Sequence, residues 1–311
     1  MRQIVALCVA LTVAGALAAP AWGWHPVGHR IIAAMAYDQL PKKTRARVDT
    51  VIRQHPDYGK FTEGVRGDAK HMARWAFIHA AAWADDIKGD ERFWDDTRRD
   101  GKATKALAPF PEMKRHTNWH YVNLYFSPDG SPLPKTPEPS AKTQLPKMIA
   151  GLTGELGWYH LVWLLHVEGD IHQPMHCVSR LTKHIVDRAG KPTSDLGGNL
   201  TVVDGYTNLH AVWDDLLGVT RDEAYIDWMA TRIQKAHRKP ARLSLDPDVW
   251  IEEGFAVARD KAYAGMAAEL GTREKPFRRT VAYEEESLRV AHGQAAKAAY
   301  RLAGVLTEKL R

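Results

Sequence analysis

Two residues with metal-binding side chains, His166 and Asp170, lie four positions apart in the apolar segment HLVWLLHVEGD. On a helix this spacing places both side chains on one face. The apolar residues around them predict that this face is buried, where an unpaired carboxylate is costly. The two residues are therefore either a hydrogen-bonded pair in a core or part of a metal site.

Further histidines and aspartates occur in similar apolar or aromatic contexts. His210 and Asp214 repeat the four-residue spacing in NLHAVWDD, and His176 follows Pro174, which is expected to end the first helix. The remaining members are Asp85 in AAWADD, His120 in NWHYVN and His29 in WHPVGH. Imidazoles and carboxylates without thiolates are the ligand set of catalytic zinc. Together these residues favour a metal site over an isolated core pair.

The other histidines belong to no such group, and we expect them at the surface or hydrogen-bonded in a core. His172 lies two residues from Asp170 and therefore points away from that helical face. The other histidines without a metal-binding context are His25, His55, His71, His79, His116, His160, His184, His237 and His292.

Hydrophobic periodicity indicates that helices carry most of the candidate residues. The predicted helices span Pro41–Gln54, Ala73–Asp86, Met148–His172, Asn208–Leu217 and Asp222–His237. A last helix has an apolar face formed by Leu288, Ala295, Ala299, Leu302 and Leu306. The best strand candidate is Asn199–Asp204, which predicts a short β-hairpin. The segment from Pro128 to Pro146 holds 6 of the 17 prolines and is predicted to be a surface loop within one domain.

The first 23 residues are typical of an export signal. Arg2 supplies a positive charge, Ile4–Leu17 forms an apolar stretch of 14 residues, and small residues follow. This stretch is too short to span a membrane, and no later segment reaches about 18 apolar residues. Cleavage after Ala21 or after Gly23 fits the pattern of small residues. We therefore expect a periplasmic or secreted protein whose mature domain covers residues 24–311.

The composition is that of an ordinary globular protein, with 45% hydrophobic and 26% charged residues in 311, which excludes disordered and collagen-like classes. The net charge of +6 suits an anionic substrate without demonstrating one. Cys8 lies in the predicted leader, so Cys177 is the single cysteine of the mature chain. This excludes an intrachain disulfide and a cysteine-rich structural zinc site.

The ordered motifs WHPVGH, WADD, WHYVN, HVEGDIHQPMH, GGN and NLHAVWD resemble the S1/P1 nuclease family of zinc-dependent single-strand nucleases. They run from Trp24 to Asp214, and helical segments follow to the end of the chain. The resemblance implies a mainly α, single-domain fold with a short β-hairpin. Phospholipase C enzymes share this helical scaffold with three zinc ions.

The resemblance also implies three zinc ions per chain. The first would be bound by Asp85, His120, His166 and Asp170, and the second by His176, His210 and Asp214. The third would use His29, Asp170, and the α-amine and carbonyl of the terminal residue. In the family this residue is a Trp five positions before the His, which corresponds to Trp24 and favours cleavage after Gly23. Cleavage after Ala21 would require a different geometry.

The same resemblance assigns catalytic and substrate-binding roles. Asp85 would orient the attacking water, and Lys88 would stabilise the pentacoordinate phosphate. Tyr121 would stack on a base, which favours single strands because their bases are exposed. The remaining substrate contacts would be Asn123, which stands where relatives often have Asp, Gly198 and Asn199.

The expected function is endonucleolytic hydrolysis of single-stranded DNA and RNA to 5′-phosphate products, with 3′-nucleotidase activity. We expect a monomer without a stable protein partner or a membrane span. The alternatives are a phospholipase C acting on phosphatidylcholine-type lipids and a non-catalytic zinc-binding protein. Tyr121 and Asn199 favour the nuclease over the phospholipase, and sharing of Asp170 between zinc ions disfavours a non-catalytic role.

Overall fold

Helices dominate the computed structural model, which describes residues 24–187 and 189–311. In chain order, the α-helices of these residues are α1 (Pro26–Gln39), α2 (Lys42–Ile52), α3 (Tyr58–Thr62), α4 (Ala69–Ala80), α5 (Trp83–Asp86), α6 (Ala141–Gly151), α7 (Gly157–His172), α8 (Leu209–Asp214), α9 (Glu223–Ala236), α10 (Pro247–Val257) and α11 (Val281–Lys309). This confirms the predicted mainly helical fold. The predicted leader, residues 1–23, lies outside the described residues.

Helix α7 lies at the centre of the fold. All of its 16 residues except His160 are buried, as expected for a helix that is apolar on every side. Helices α1, α6, α10 and α11 pack against α7, and α1 also packs against α4 and α9. The first turn of α1 consequently faces the last turns of α7, where His29 meets Asp170.

Two of the predicted helices are each divided into two. The prediction Ala73–Asp86 covers α4 and α5, and the break between them frees the Ala81 carbonyl to accept a hydrogen bond from His166. The prediction Met148–His172 covers the end of α6 and all of α7, with a turn around Gly154 between them. In both cases the apolar periodicity continues through the break.

The predicted proline-rich loop from Pro128 to Pro146 ends earlier than expected. Helix α6 begins at Ala141, where Ser140 N donates to Thr143 Oγ1 at 3.2 Å, so Pro146 lies inside a helix. In α11, four of the five residues predicted to share an apolar face are buried, but Leu288 is 42% exposed. The buried face of α11 therefore lies in its C-terminal two thirds.

A small sheet stands beside the helices. Strand β1 (Leu124–Phe126) pairs in parallel with β2 (Val178–Val186), and β2 pairs antiparallel with β3 (Pro192–Ser194). A hairpin is therefore present at β2–β3, whereas its predicted location at Asn199–Asp204 is wrong. That segment forms turns and one isolated bridge, from Val203 to Phe277. Leu200 N and Thr201 Oγ1 donate to Asp195, and these local hydrogen bonds hold the segment in turns instead of a strand.

The apolar interior is formed by a large cluster around α1, α7 and α11, and a smaller one around Trp213, Tyr263 and Phe277. Met175, Leu209 and Trp213 of the smaller cluster are the sequence neighbours of His176, His210 and Asp214. Within the described residues, none of the helices combines the length and the apolar character that crossing a bilayer requires.

Candidate metal centre

Six short segments bring the predicted His and Asp side chains together. They are α1, α5, α7, α8 and two 3-10 helices, Thr117–His120 and Pro174–Cys177. Three groups have ligand atoms within 4.8 Å of one another: Asp85 with His120 and His166; His29 with His166 and Asp170; and His176 with His210 and Asp214. All of these side chains are buried. The described residues thus contain three clusters that could bind metal ions.

Asp170 lies at the centre of the arrangement. Its Oδ2 atom is 2.9 Å from His120 Nδ1 and 3.3 Å from His166 Nε2. Its Oδ1 atom is 3.3 Å from His29 Nε2 and 3.7 Å from His176 Nδ1. One carboxylate therefore faces two of the clusters through different oxygen atoms.

The side-chain nitrogens of three histidines are oriented by the main chain. The Nδ1 atoms of His166, His176 and His210 donate to carbonyl oxygens 2.6–2.8 Å away, those of Ala81, His120 and Gly197 respectively. A carbonyl only accepts, so in the neutral ring the proton is on Nδ1 and Nε2 carries a lone pair. Hydrogen bonds of this kind fix the tautomer of metal-binding histidines.

These lone pairs face other electron-rich atoms. His176 Nε2 and His210 Nε2 are 3.1 Å apart, and His166 Nε2 is 3.4 Å from Asp85 Oδ1. Such contacts are repulsive between neutral rings and carboxylates, but a cation between the atoms makes them favourable. The donor set therefore fits a bound metal better than a network of hydrogen bonds.

Several other buried atoms of the clusters have no hydrogen-bond partner among the described residues. They are both ring nitrogens of His29, His120 Nε2, Asp85 Oδ2 and Asp170 Oδ1. Buried polar atoms are normally hydrogen-bonded, and exceptions require an explanation. Coordination of a cation explains at once why acceptor atoms from four different segments converge without donors.

Burial sets the charge states that the clusters favour. It lowers the pKa of His29 to about 4 and the pKa of His120 to about 3, which keeps both rings neutral as metal binding requires. Burial alone would raise the pKa of Asp85, but opposing effects, of which the nearby Lys88 ammonium is the largest, hold the pKa well below its usual value. Burial raises the pKa of Asp214 well above its usual value despite a hydrogen bond from Gln173, and a cation would restore the carboxylate.

Lys88 joins the cluster of Asp85. Its Nζ atom is 2.6 Å from Asp85 Oδ1 and 3.5 Å from His120 Nδ1, and only 6% of its side chain is exposed. The i, i+3 spacing across the end of α5 explains this contact. The structure therefore places a buried ammonium beside two of the predicted ligands.

The predicted substrate residues border the clusters along the chain. Tyr121 and Asn123 follow His120 and are half-buried. Gly198 has a φ of +84°, and a Cβ atom there would lie 2.6 Å from Met175 Cε, so only glycine fits beside the main chain of His210. The Asn199 amide donates to the Leu196 carbonyl at 2.7 Å. Their roles toward a substrate stay predictions.

Trp24, the predicted terminal ligand, is fully buried at the start of the described chain. It lies against Gly28, where a Cβ atom would approach Trp24 Cβ to 2.6 Å. The amide of the next residue, His25, donates to the Asp214 carbonyl at 3.3 Å. The segment thus runs beside a residue of the third cluster.

Sequence reasoning missed Gln173, a buried residue of the HVEGDIHQPMH motif. Its Nε2 atom donates to Asp214 Oδ1 at 2.6 Å, and its Oε1 atom accepts from Met175 N at 2.6 Å. Its position between Asp170 and His176 was an available signal. By contrast, His172 has both nitrogens satisfied, by the Glu168 carbonyl and by Arg301, so it is a core histidine.

Gly169 allows His29 to approach α7. A Cβ atom on Gly169 would lie 2.8 Å from His29 Nδ1 and 3.3 Å from Cε1. Alanine would favour the helix by about 1 kcal/mol, but it would displace the imidazole. We expect Gly169→Ala to lower metal affinity by about 10–100-fold for one ion per chain, measured by metal titration.

Gly293→Ala in α11 is the matched control, because its Cβ atom would meet His237 only at 3.8 Å. It should leave metal affinity unchanged. If Gly169→Ala also binds metal like the unmodified protein, the close approach of His29 to α7 is unimportant for the clusters.

Fold and site together define a class: a helical protein whose interior holds three neighbouring His/Asp clusters suited to divalent metal ions. A sequence model of the S1/P1 nuclease family matches residues 24–311. The chain therefore belongs to the S1/P1 nuclease family.

A curated relative is Endonuclease 2 of Arabidopsis thaliana. The two sequences are 29% identical over 124 residues, which cover 34% of this chain and 38% of the relative. The chain thus matches well under half of the length of this protein. The similarity accords with the family assignment and with a nuclease.

Proposed function

We propose that this chain is a zinc-dependent endonuclease that hydrolyses single-stranded DNA and RNA to 5′-phosphate products, with 3′-nucleotidase activity. The observation that carries the proposal is the set of three His/Asp clusters in a member of a nuclease family, where buried atoms such as Asp85 Oδ2 and Asp170 Oδ1 have no hydrogen-bond partner among the described residues. Imidazole with carboxylate is a common ligand set of catalytic zinc. Three zinc ions per chain would occupy the clusters.

The residues around the clusters suit hydrolysis of a phosphodiester. Bound zinc would lower the pKa of water toward about 7 and offset the charge of the phosphate. Asp85 Oδ2, which has no hydrogen-bond partner among the described residues, would accept a hydrogen bond from the attacking water and orient it. The Lys88 ammonium would bind the phosphate oxygens and offset their negative charge.

The residues predicted to contact bases would favour single strands. The Tyr121 ring would stack on an exposed base, which is worth roughly 1–3 kcal/mol and tolerates any base. Asn199 and Asn123 would contact base edges, since an amide both donates and accepts. Gly198 would allow the nucleic acid to approach the main chain closely.

The third zinc ion would need a free terminus at Trp24. An α-amine has a pKa of about 7.7–8.0, so a metal can displace its proton. We therefore propose that residues 1–23 are removed on export, that residues 24–311 form the mature domain, and that this domain acts as a monomer in the periplasm or outside the cell.

The test is a substrate panel combined with intact mass and metal analysis of the exported protein. We expect a mass that corresponds to a start at Trp24, three zinc ions per chain, and cleavage of single-stranded DNA and RNA to 5′-phosphate ends. The panel includes 3′-AMP, phosphatidylcholine and duplex DNA. Hydrolysis of phosphatidylcholine alone would instead assign a phospholipase, and zinc binding without any hydrolysis would assign a non-catalytic protein.

A further inference from the structure

Five exposed cations lie at the end of one helix and in the segment that follows it. From residue 228 to residue 245, covering most of α9 and the segment after it, the sequence has five cations and no carboxylate. All five are exposed, and none has an ion pair among the described residues. We call these cations, together with Trp228, the basic face: Trp228, Arg232, Lys235, Arg238, Lys239 and Arg242. Residues 24–311 have a net charge of +5, because Arg2 is the only charged residue before them.

An exposed indole stands at the start of the basic face. Trp228 is 53% exposed, although a large apolar side chain is normally buried. Arg232 lies one turn later with its guanidinium 5.4 Å from the indole centroid, and the Tyr225 ring lies one turn earlier at 5.8 Å. The indole is thus held between two neighbours with its surface open to solvent. Aromatic rings beside cations are the usual surface for stacking of nucleic-acid bases.

Two hydrogen bonds join the segment of the basic face to α1 and α11. Tyr300 of α11 donates to the His237 carbonyl at 2.8 Å, and Gln234 donates to the Met35 carbonyl of α1 at 2.9 Å. The cations therefore extend from a fixed support. A polyanion would meet them at defined positions rather than on a mobile tail.

Helix α9 connects the basic face to the segment that follows a cluster residue. At its N-terminal end, Tyr225 donates to the Leu217 carbonyl at 3.1 Å, three residues after Asp214. At its C-terminal end, Gln234 donates to the Met35 carbonyl of α1, the helix that carries His29.

We propose that the basic face is a second contact surface for single-stranded nucleic acid, which holds a strand whose scissile phosphate lies at the metal clusters. The inference rests on the proposed nuclease function. The cations bind phosphates and Trp228 stacks on a base. A long strand can contact both surfaces, whereas a dinucleotide contacts the clusters alone.

The test compares KM for a 20-nucleotide single strand with KM for a dinucleotide. For the long strand we expect Lys235→Ala/Arg238→Ala/Lys239→Ala to raise KM about tenfold at low salt. For this triple variant, the slope of log KM against log salt concentration should decrease by about 2, because each lost phosphate contact on a single strand removes about 0.7 from the slope. Trp228→Ala should raise KM about tenfold without changing the slope, and Trp228→Phe should retain most of the affinity. Dinucleotide kinetics should be unchanged.

Lys42→Ala/Lys43→Ala/Arg47→Ala is the matched control, because it removes three exposed cations from α2, which has no aromatic residue. Equal effects of the two triple variants would overturn the proposal in favour of diffuse attraction. So would an unchanged KM for the long strand, or loss of binding to phosphatidylglycerol vesicles without a change in KM. Absence of all nucleic-acid cleavage by the unmodified protein would instead refute the proposed function.

Discussion

Removal of metal with excess chelator is expected to abolish hydrolysis and to lower the melting temperature. Under the proposed function, hydrolysis should stop because bound zinc would supply the positive charge and the activated water. Each ion bound a thousandfold above its Kd adds about 4 kcal/mol to stability, so loss of three ions should lower Tm by roughly 10–20 °C in a domain of this size. Activity on single-stranded DNA and a thermal melt measure the two effects.

The control is the same chelator saturated with zinc beforehand, which should have no effect on either measurement. Zinc added after chelation should restore both activity and Tm, whereas magnesium should not, because imidazole is a poor ligand for magnesium. Full activity in excess chelator would contradict the proposed zinc dependence. An unchanged melting curve would show that the clusters are not filled in the folded protein.

Lys88→Ala is expected to lower kcat for single-stranded DNA by about 10²–10³, the usual effect of removing one group that stabilises charge in the transition state. KM should change little, because the phosphate charge that Lys88 meets grows during the reaction. The contact of Lys88 with Asp85, 2.6 Å long, makes metal content a necessary second measurement. Zinc content should stay at the level of the unmodified protein.

Two variants make this result specific. Lys88→Arg should retain part of kcat, since the charge is kept although the guanidinium is planar and larger. Lys60→Ala removes a lysine that is 58% exposed and pairs with Asp90, and it should leave kcat unchanged because exposed ion pairs contribute little. A kcat of Lys88→Ala equal to that of the unmodified protein, or a decrease matched by zinc loss, would remove Lys88 from the catalytic step.

Local spacing explains which parts of the site could be predicted. His166 with Asp170, and His210 with Asp214, each lie on a single helix, where an interval of four fixes the common face. The helices themselves follow from apolar periodicity, which is why α2 and α9 appear within two residues of their predicted ends. Residues that face one another across segments were assigned to zinc ions by resemblance to the family.

The remaining features depend on contacts that apolar periodicity does not reveal. The Ala81 carbonyl, between α4 and α5, accepts a hydrogen bond from His166, which is 85 residues away. Asp195 is near in sequence, but it accepts from Leu200 N and Thr201 Oγ1 and so holds the segment predicted as a strand in turns. Gly169 likewise looks like an ordinary weak helix former until His29 is known to lie against it.

The two oxygen atoms of Asp170 would couple the binding of two metal ions. Oδ1 faces His29 and Oδ2 faces His120 and His166, so the two positions use one carboxylate. Occupancy of either position must alter the affinity of the other by the same factor, whereas the group of His176, His210 and Asp214 has its own ligands. The order of loading at the coupled positions would therefore depend on Asp170 and on His166, which belongs to both groups.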